Sequence, residues 1–583
     1  MPVKKSKPKH RKVAIAPAAP LEVAAKPATA FRSPLPFFES HARALVLALV
    51  IIGSARIVST YAVFNHTLDE PGHIAAGVEF LTKGIYQYDP QHPTLARIAV
   101  GLGPSLIGVS SPGPKQPDDN WMFSEGRKIL YGSGKYQQAL ILARMGILPF
   151  FWVACLVVYL WGKRYFGTAA GVVAVFLLSF FPPLLGHAGL ATTDMACTAM
   201  LGAVFLAGCV LLEEASVRHA AAFGACGGLA ILSKFSVLAY FPASAAVALL
   251  WYAAVERPPI HRLVQSIKTV APLLALSTAI ASLIVWAGYR FSFAHGIPAP
   301  ELWSGIREVA EHNAHGHPTY LLGEISRSGW WYFFPVAIAV KTPIPFLLLA
   351  CAGVWLAFRN LRGSRIWIPV AYVAGILAVA MSSHINIGLR HILPIYMGLS
   401  VLGAVAVTQA WSAPVRSKWI PAAVAVLVLW LAASSIASYP DYLAYFNEVA
   451  NNQPEKYLID SDLDWGQDVT RLGRRLQALG AREVTFIAGD QYDFARHPGF
   501  EGIKVYESMS RALPNAGWNA VTMRSLKMAR LGLYNTLPQV TLWPDLVSPR
   551  ERVGKSILLW YFPPGSTVPE LPFGPVLDPA RGK

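Results

Sequence analysis

Charge is what this chain has least of. Only 14% of its 583 residues are Asp, Glu, Lys or Arg, against roughly 25% in a soluble domain. With 54% hydrophobic residues, that deficit excludes water as the solvent for much of the chain. Cysteine is scarce too: Cys155, Cys197, Cys209, Cys226 and Cys351 all fall in apolar segments. The polar loops and tails therefore fold without disulfides, and no Cys-x-x-Cys or Cys/His zinc spacing occurs. A GxxxxGK[ST] loop is also missing, so ATP-driven transport has no support. No internal repeat stands out.

What is present is a series of apolar runs near the ~20 residues that span a bilayer, such as ALVLALVIIGSARIVSTYAVF (44–64) and ALILARMGILPFFWVACLVVYLW (139–161). The expected fold class is a polytopic α-helical membrane protein with about eleven transmembrane helices. The runs lie at about 42–63, 139–161, 168–186, 195–212, 219–233, 236–254, 270–289, 332–357, 366–382, 392–410 and 419–438. With the N-terminus cytoplasmic, this count puts the basic linkers WGKRYFG, ERPPIHR, RNLRGSR and APVRSK all inside, as the positive-inside rule requires. The net charge of +17 then needs no nucleic-acid partner. Merging the fifth and sixth runs would reverse everything downstream.

Three regions follow. Residues 1–40 are Lys, Ala and Pro rich and read as a disordered cytoplasmic tail. Residues 41–440 form the membrane domain, and residues 441–583 an extracytoplasmic soluble α/β domain. In the last, YLIDSDLDWGQDVTRLGRRLQALGAREVTFIAG (457–489) reads as strand, turn, amphipathic helix, glycine stop and strand, and GKSILLWYF (554–562) as a further strand.

The first outer loop carries two adjacent acids in TLDEPGHIAAGVEFLTKG (67–84). Thr67-x-x-Glu70 matches a capping box, Pro71 is tolerated in a first turn, and Gly84 can stop the helix. Asp69 and Glu70 thus start an interfacial helix whose apolar face is Ile74, Val78, Leu81 and Ile85, with His73 one turn on. Its dipole favours ionised carboxylates, the form a general base needs. A simple cap is the alternative reading.

Other ionisable residues reach the same face. Asp194 opens the fourth span, either as a plain N-cap or as part of a site. Lys234 lies at the bend LSKFS, Lys341 inside the eighth span, and Arg390 and His391 at the start of the tenth. Ionisable groups at membrane depth are functional candidates. Acids that deprotonate an acceptor, beside cations that stabilise a phosphate leaving group, make one coherent reaction.

These residues, in this order, resemble the integral-membrane glycosyltransferases of the GT-C superfamily. The motifs are Asp69-Glu70 after the first span, HPTLARI (92–98), LATTD (190–194) and GGLAILSK (227–234). The resemblance runs over roughly residues 40–410. The branch is that of dolichyl-phosphate-mannose–protein mannosyltransferases and aminoarabinose transferases (glycosyltransferase family 39-like). YLLGEISRSGWWYFFPVAIAVKTPIPF (320–346), INIGLRHILPIY (385–396) and DSDLDWGQD (460–468) resemble bacterial phospholipid-carrier-dependent members.

The resemblance implies a GT-C fold and transfer of a sugar from a polyprenyl-phosphate donor to a protein, lipid or glycan acceptor outside a bacterial inner membrane. It implies Asp69 as catalytic base with Glu70 supporting it, Asp194 shaping the sugar site, and Lys234, Arg97 and Arg390 as candidates for the donor phosphate. His73, His92, Lys341 and His391 complete the candidate substrate site. HPT (92–94) stands where the family's turn carries a double proline. A secondary transporter or lipid-linked sugar flippase is the alternative, but transporters gather charge at midplane helix breaks, and here most charges fall at span ends. A non-catalytic glycan-binding sensor is the third reading.

Two signals weigh less. His312, His315 and His317 in HNAHGHP are candidate ligands for a divalent metal ion, although a solvated loop explains them as well. Asp460, Asp462, Asp464 and Asp468 are spaced like a calcium loop, but the Gly and distal Glu are misplaced; a strand-end turn with an N-cap is preferred, and acceptor binding is the alternative.

Overall fold

The computed structural model describes residues 33–111, 121–360, 365–412, 419–487, 492–507, 514–534 and 543–565. Most of the expected tail, 1–32, lies outside the described residues. At the end of that region Leu35–Ser40 forms a short helix behind Pro34.

Among its described residues, the first half of the chain has helices and connecting loops but no strands. It runs α1 (Leu35–Ser40), α2 (Ala42–Val58), α3 (Glu70–Lys83), α4 (Thr94–Leu106), α5 (Trp121–Gly132), α6 (Tyr136–Met145), α7 (Leu148–Phe166), α8 (Thr168–Ser179), α9 (Pro182–Ala188), α10 (Asp194–Glu213), α11 (Val217–Ser233), α12 (Val237–Glu256) and α13 (Ile260–Gly288). The long outer loop contributes the hairpin β1 (Phe293–Ala294)/β2 (Ile297–Pro298), α14 (Pro300–His315) and the hairpin β3 (Thr319–Leu321)/β4 (Glu324–Ser326). Then follow α15 (Phe333–Lys341), α16 (Ile344–Arg359), α17 (Trp367–Met381), α18 (Ile395–Ser412) and α19 (Trp419–Ala437).

The C-terminal region holds α20 (Val469–Ala478), β5 (Glu483–Ile487), β6 (Lys504–Tyr506), β7 (Gly517–Thr522), α21 (Met523–Tyr534), α22 (Trp543–Leu546), β8 (Glu551–Val553) and β9 (Ile557–Phe562). Its five strands pair in the order β6-β5-β7-β9-β8, with β5 parallel to β6 and β7 and the rest antiparallel. Val469, Leu472 and Leu476 of α20 pack on Val484 and Phe486 of β5.

The chain is a polytopic helical membrane protein, and each expected apolar run lies on helix. Six helices among the described residues are long and apolar enough to cross a bilayer, or up to eight if two bent pairs count as spans. The shorter apolar helices α11 and α17 and the 17-residue α2 account for the remaining runs. The fifth and sixth runs are separate helices, because Lys234 between them is fully extended (φ −166°, ψ 138°). On α11, Gly224 and Gly228 sit so close to α13 that a Cβ would strike Ser277 or the Ala281 carbonyl, the small-residue contact that lets membrane helices pack closely.

The eighth run is not one straight span. It breaks between α15 and α16 with a 120° bend. Pro343 cannot continue the helical ladder and drives Thr342 to an extended conformation (ψ 130°). The carbonyls freed at the break are met from the C-terminal side: Asn447 Nδ2 donates to Ala339 O at 2.7 Å and Thr342 O at 2.6 Å.

The strand expected at the start of 457–489 is absent. Asp460 has φ +45°, which ends any extended run, and residues 460–462 form a 3-10 turn instead.

Candidate active site

The two adjacent acids have opposite fates. Asp69 is the N-cap residue of α3, yet its side chain makes no capping hydrogen bond. Glu70 serves the cap: its Oε2 accepts from the Thr67 backbone N–H at 2.8 Å. Glu70 is also fully buried, accepts from Arg144 Nε and Nη2 at 2.8 Å each, and from the Ala191 N–H at 2.9 Å. Its carboxylate is saturated and out of solvent. This corrects its expected place beside the base at the reacting centre.

Asp69 instead points to the ends of other helices. Arg390 Nη1 donates to Asp69 Oδ2 at 2.7 Å and lies 3.9 Å from Asp194 Oδ2. Lys234 Nζ donates to Asp194 Oδ1 at 2.7 Å. Four charges of alternating sign thus run Asp69–Arg390–Asp194–Lys234 and converge from four separate chain segments. Asp194 is the first residue of α10, one past its N-cap Thr193, and its second oxygen also accepts from Thr192 Oγ1. The Asp194 side chain is 1% exposed and that of Asp69 30%, so Asp69 is the more accessible of the two acids. Arg390 Nε is buried with no hydrogen-bond partner, a spare donor on the cation at the centre of the set. His391 follows on the same turn, where burial and then Lys234 and Arg390 hold its pKa well below the ordinary histidine value.

Arg97 is elsewhere. Its guanidinium is buried and spent: Nη2 pairs with Asp89 Oδ2, Nη1 donates to Tyr86 Oη at 3.1 Å and Tyr88 O at 3.0 Å, and Nε donates to His73 Nδ1 at 3.3 Å. Burial pushes the Asp89 carboxyl up, but Arg97 and then His92 hold it well below the usual range. His73 is buried, and burial followed by Arg97 keeps it neutral, the state in which Nδ1 can accept. His92 bonds Asp89 Oδ2 at 2.9 Å. These four form a structural cluster where α3 crosses α4. The crossing is so close that a Cβ on Gly77 would collide with the Arg97 carbonyl oxygen. The expected role of Arg97 as a phosphate ligand is therefore corrected: every nitrogen of its buried fork already has a partner.

Lys341 is corrected likewise. It is 1% exposed, donates to Leu443 O at 2.8 Å and to Asp462 O, and stacks on Phe446 with Nζ 4.3 Å from the ring centre. It braces the α15–α16 bend rather than facing substrate.

Among the described residues no group of three or more His, Cys, Asp or Glu side chains is placed to hold a metal ion. His312 Nε2 and His317 Nδ1 are 3.3 Å apart, while His312 Nδ1 meets Gln91 Oε1 and His315 turns back to the Glu311 carbonyl. The four aspartates of DSDLDWGQD do not converge either. Asp462 Oδ1 accepts from Leu389 N, Asp464 from the Arg524 and Gly466 N–H groups, and Asp468 from Lys555 N, Ser556 and Arg471.

Two residues were missed by sequence reasoning. Arg144 could have been found as a lone cation inside an apolar run, costly unless partnered. Trp465, whose ring centre lies 4.2 Å from the Arg390 guanidinium carbon, gave no comparable signal.

Residues 143–286 match the family described as dolichyl-phosphate-mannose-protein mannosyltransferase, a segment that includes Arg144, Asp194 and Lys234. Among solved structures the chain is similar to ArnT from Cupriavidus metallidurans bound to undecaprenyl phosphate, at 13% identity and TM-score 0.48 over 88% of this chain and 97% of that one. It is also similar to the archaeal oligosaccharyltransferase AglB from Archaeoglobus fulgidus, in complex with an inhibitory peptide and a dolichol-phosphate, at 12% identity and TM-score 0.43 over 85% and 71%. Among curated proteins none matches the sequence.

Proposed function

We propose that this membrane protein is an inverting glycosyltransferase of the GT-C superfamily that moves a sugar from a polyprenyl-phosphate donor to an acceptor on the extracytoplasmic side. The observation that carries the proposal is the Asp69–Arg390–Asp194–Lys234 set, with its one accessible acid, Asp69, at one end beside Arg390 and the buried Asp194 between the two cations. The family match over 143–286 supports the reaction class.

In this reading Asp69 takes the proton of the acceptor hydroxyl or amine as the acceptor attacks the anomeric carbon. The bond from that carbon to the phosphate oxygen breaks on the opposite face, and the electron pair leaves with the polyprenyl phosphate. Arg390, through its spare Nε donor, and Lys234 stabilise the phosphate charge. Arg390 contributes twice, since its bond to Asp69 also keeps that carboxylate aimed. Asp194 holds the two cations at fixed spacing and faces the sugar. Glu70 and Arg144 fix the loop that carries Asp69 and take no part in the bond changes.

The residues 441–583 are proposed to form the outer domain, with the N-terminus cytoplasmic. The flippase alternative is less favoured, because Asp69, Arg390, Asp194 and Lys234 gather at helix ends.

The test is sugar transfer in membranes supplied with a panel of undecaprenyl-phosphate sugars. Asp69→Asn is expected to lower transfer by roughly 10²–10⁴-fold, the usual worth of a general base, with expression unchanged. Full activity of that variant removes the base assignment. Substrate flux with no covalent product favours a flippase.

A further inference from the structure

Segment 460–468, which follows the last span, reaches back to the site at several points. Ser461 Oγ donates to Ile387 O and Asp462 Oδ1 accepts from Leu389 N, so the two flank the approach to Arg390. Gly388 between them has φ +118°, and a Cβ there would strike Ser461 Oγ, so the two segments touch backbone to side chain. Asp462 is itself braced from below by Lys341.

The central member of this strap is Trp465. It is 1% exposed, and its indole lies under the Arg390 guanidinium at 4.2 Å. Its backbone carbonyl accepts from Leu68 N at 3.0 Å, the residue directly before Asp69. Its ring packs in a small cluster with Leu68, Leu190 and Leu443. The loop is stiffened from within, where Gln467 accepts from Trp465 N at 2.8 Å and donates to Leu463 O at 2.9 Å. Asn65, upstream of Asp69, donates to Gly466 O at 2.7 Å.

One residue thus touches Arg390 directly and the Asp69 loop through Leu68: the ring holds the arginine and the carbonyl holds the loop of the acid. We propose that Trp465 is a positioning residue that sets the geometry of the Asp69–Arg390 pair, so that the C-terminal region completes the active site and does more than recognise the acceptor. A flat aromatic face under a guanidinium restrains its plane without using a hydrogen-bond donor. That leaves Arg390 Nη1 for Asp69 and Nε for a phosphate oxygen. The inference rests on the transferase reading above.

The experiment uses the full-length protein, with the undecaprenyl-phosphate sugar that supports wild-type transfer. Trp465→Met keeps apolar volume and loses the π face; Trp465→Phe keeps a π face. The expected result is a kcat roughly 10- to 100-fold lower for Trp465→Met, the range for a lost cation–π contact and a misplaced reacting group. The donor KM should stay within about threefold, and Trp465→Phe should recover most of kcat. Hydrogen exchange over residues 385–392 should rise in Trp465→Met and not in Trp465→Phe. Wild-type kcat in Trp465→Met overturns the proposal, as does equal loss in both variants with unchanged exchange at 385–392. If Trp465→Met does not fold, Trp465→Leu takes its place, and a Phe variant no better than Leu overturns the proposal. Asp69→Asn is the control that separates the two readings. Its inactivity keeps the base assignment whatever Trp465 does, and its full activity removes that assignment and this inference together while leaving the transferase reading standing.

Discussion

Arg144 closes a two-pronged ion pair on Glu70, with Nε and Nη2 each 2.8 Å from a carboxylate oxygen. Both side chains are at most 1% exposed. Removing one partner leaves the other charge buried and uncompensated, which costs about 3–5 kcal/mol. Glu70→Gln is therefore expected to unfold well below wild type in a thermal melt of the detergent-purified protein. Asp69→Asn should melt close to wild type, because Asp69 is 30% exposed and caps nothing. The contrast separates the scaffold acid from the proposed chemical one.

Lys234 has one bond to Asp194 and a 14% exposed side chain, so its ammonium keeps donors for an incoming phosphate. A hydrogen bond to a charged group contributes about 1.5–3 kcal/mol, or roughly 10- to 100-fold in affinity. Lys234→Met is expected to raise the donor KM by that factor and to leave the acceptor KM nearly unchanged. Steady-state kinetics with donor and acceptor varied in turn checks it. An unchanged donor KM removes Lys234 from the phosphate site.

The helical membrane architecture was legible because apolar length is a one-dimensional signal. The 120° break at Thr342–Pro343 was legible only as a proline inside a run, which alone does not distinguish a kinked span from two helices. At the site, sequence order identified Asp69, Asp194, Lys234 and Arg390, which the fold joins into one chain of charges. It could not separate these from Arg97 and Lys341, which are cations of the same type in equally apolar surroundings. What separates them is the count of donors already spent, a three-dimensional quantity. Trp465 lies 75 residues after Arg390 in the chain, and no pattern links the two before folding brings them together.

Arg97 offers the converse prediction to Lys234. Its fork is divided among Asp89, His73 and the 86–89 turn, and lysine cannot reproduce five donors in a plane. Arg97→Lys is expected to lower stability by about 3 kcal/mol or more, while the folded fraction keeps a wild-type donor KM. The measurement pairs a thermal melt with donor kinetics normalised to folded protein. A raised donor KM at unchanged stability would return Arg97 to the phosphate site.

His497 links the C-terminal region to the loop helices of the membrane part. Its Nδ1 meets Tyr131 Oη at 2.7 Å, on α5, and its Nε2 meets Thr470 Oγ1 at 3.1 Å, on α20. Burial, with His66 adding to it, pulls its pKa down to about 3 from an ordinary 6.5. The unfolded chain therefore binds a proton at this position between pH 6.5 and about 3, whereas the folded chain does not. The linkage sign follows: stability is complete above pH 6.5 and falls as pH drops through that window. From pH 6.5 to 5 the loss from this one group is roughly 2 kcal/mol. His497→Asn cannot titrate, so its stability should start lower at pH 7.5 but fall less on acidification. Thermal melts of wild type and His497→Asn across pH 7.5 to 5, with limited proteolysis to report loosening of the C-terminal region, check it. Parallel pH curves for the two proteins would show that His497 does not govern the acid loss of this contact.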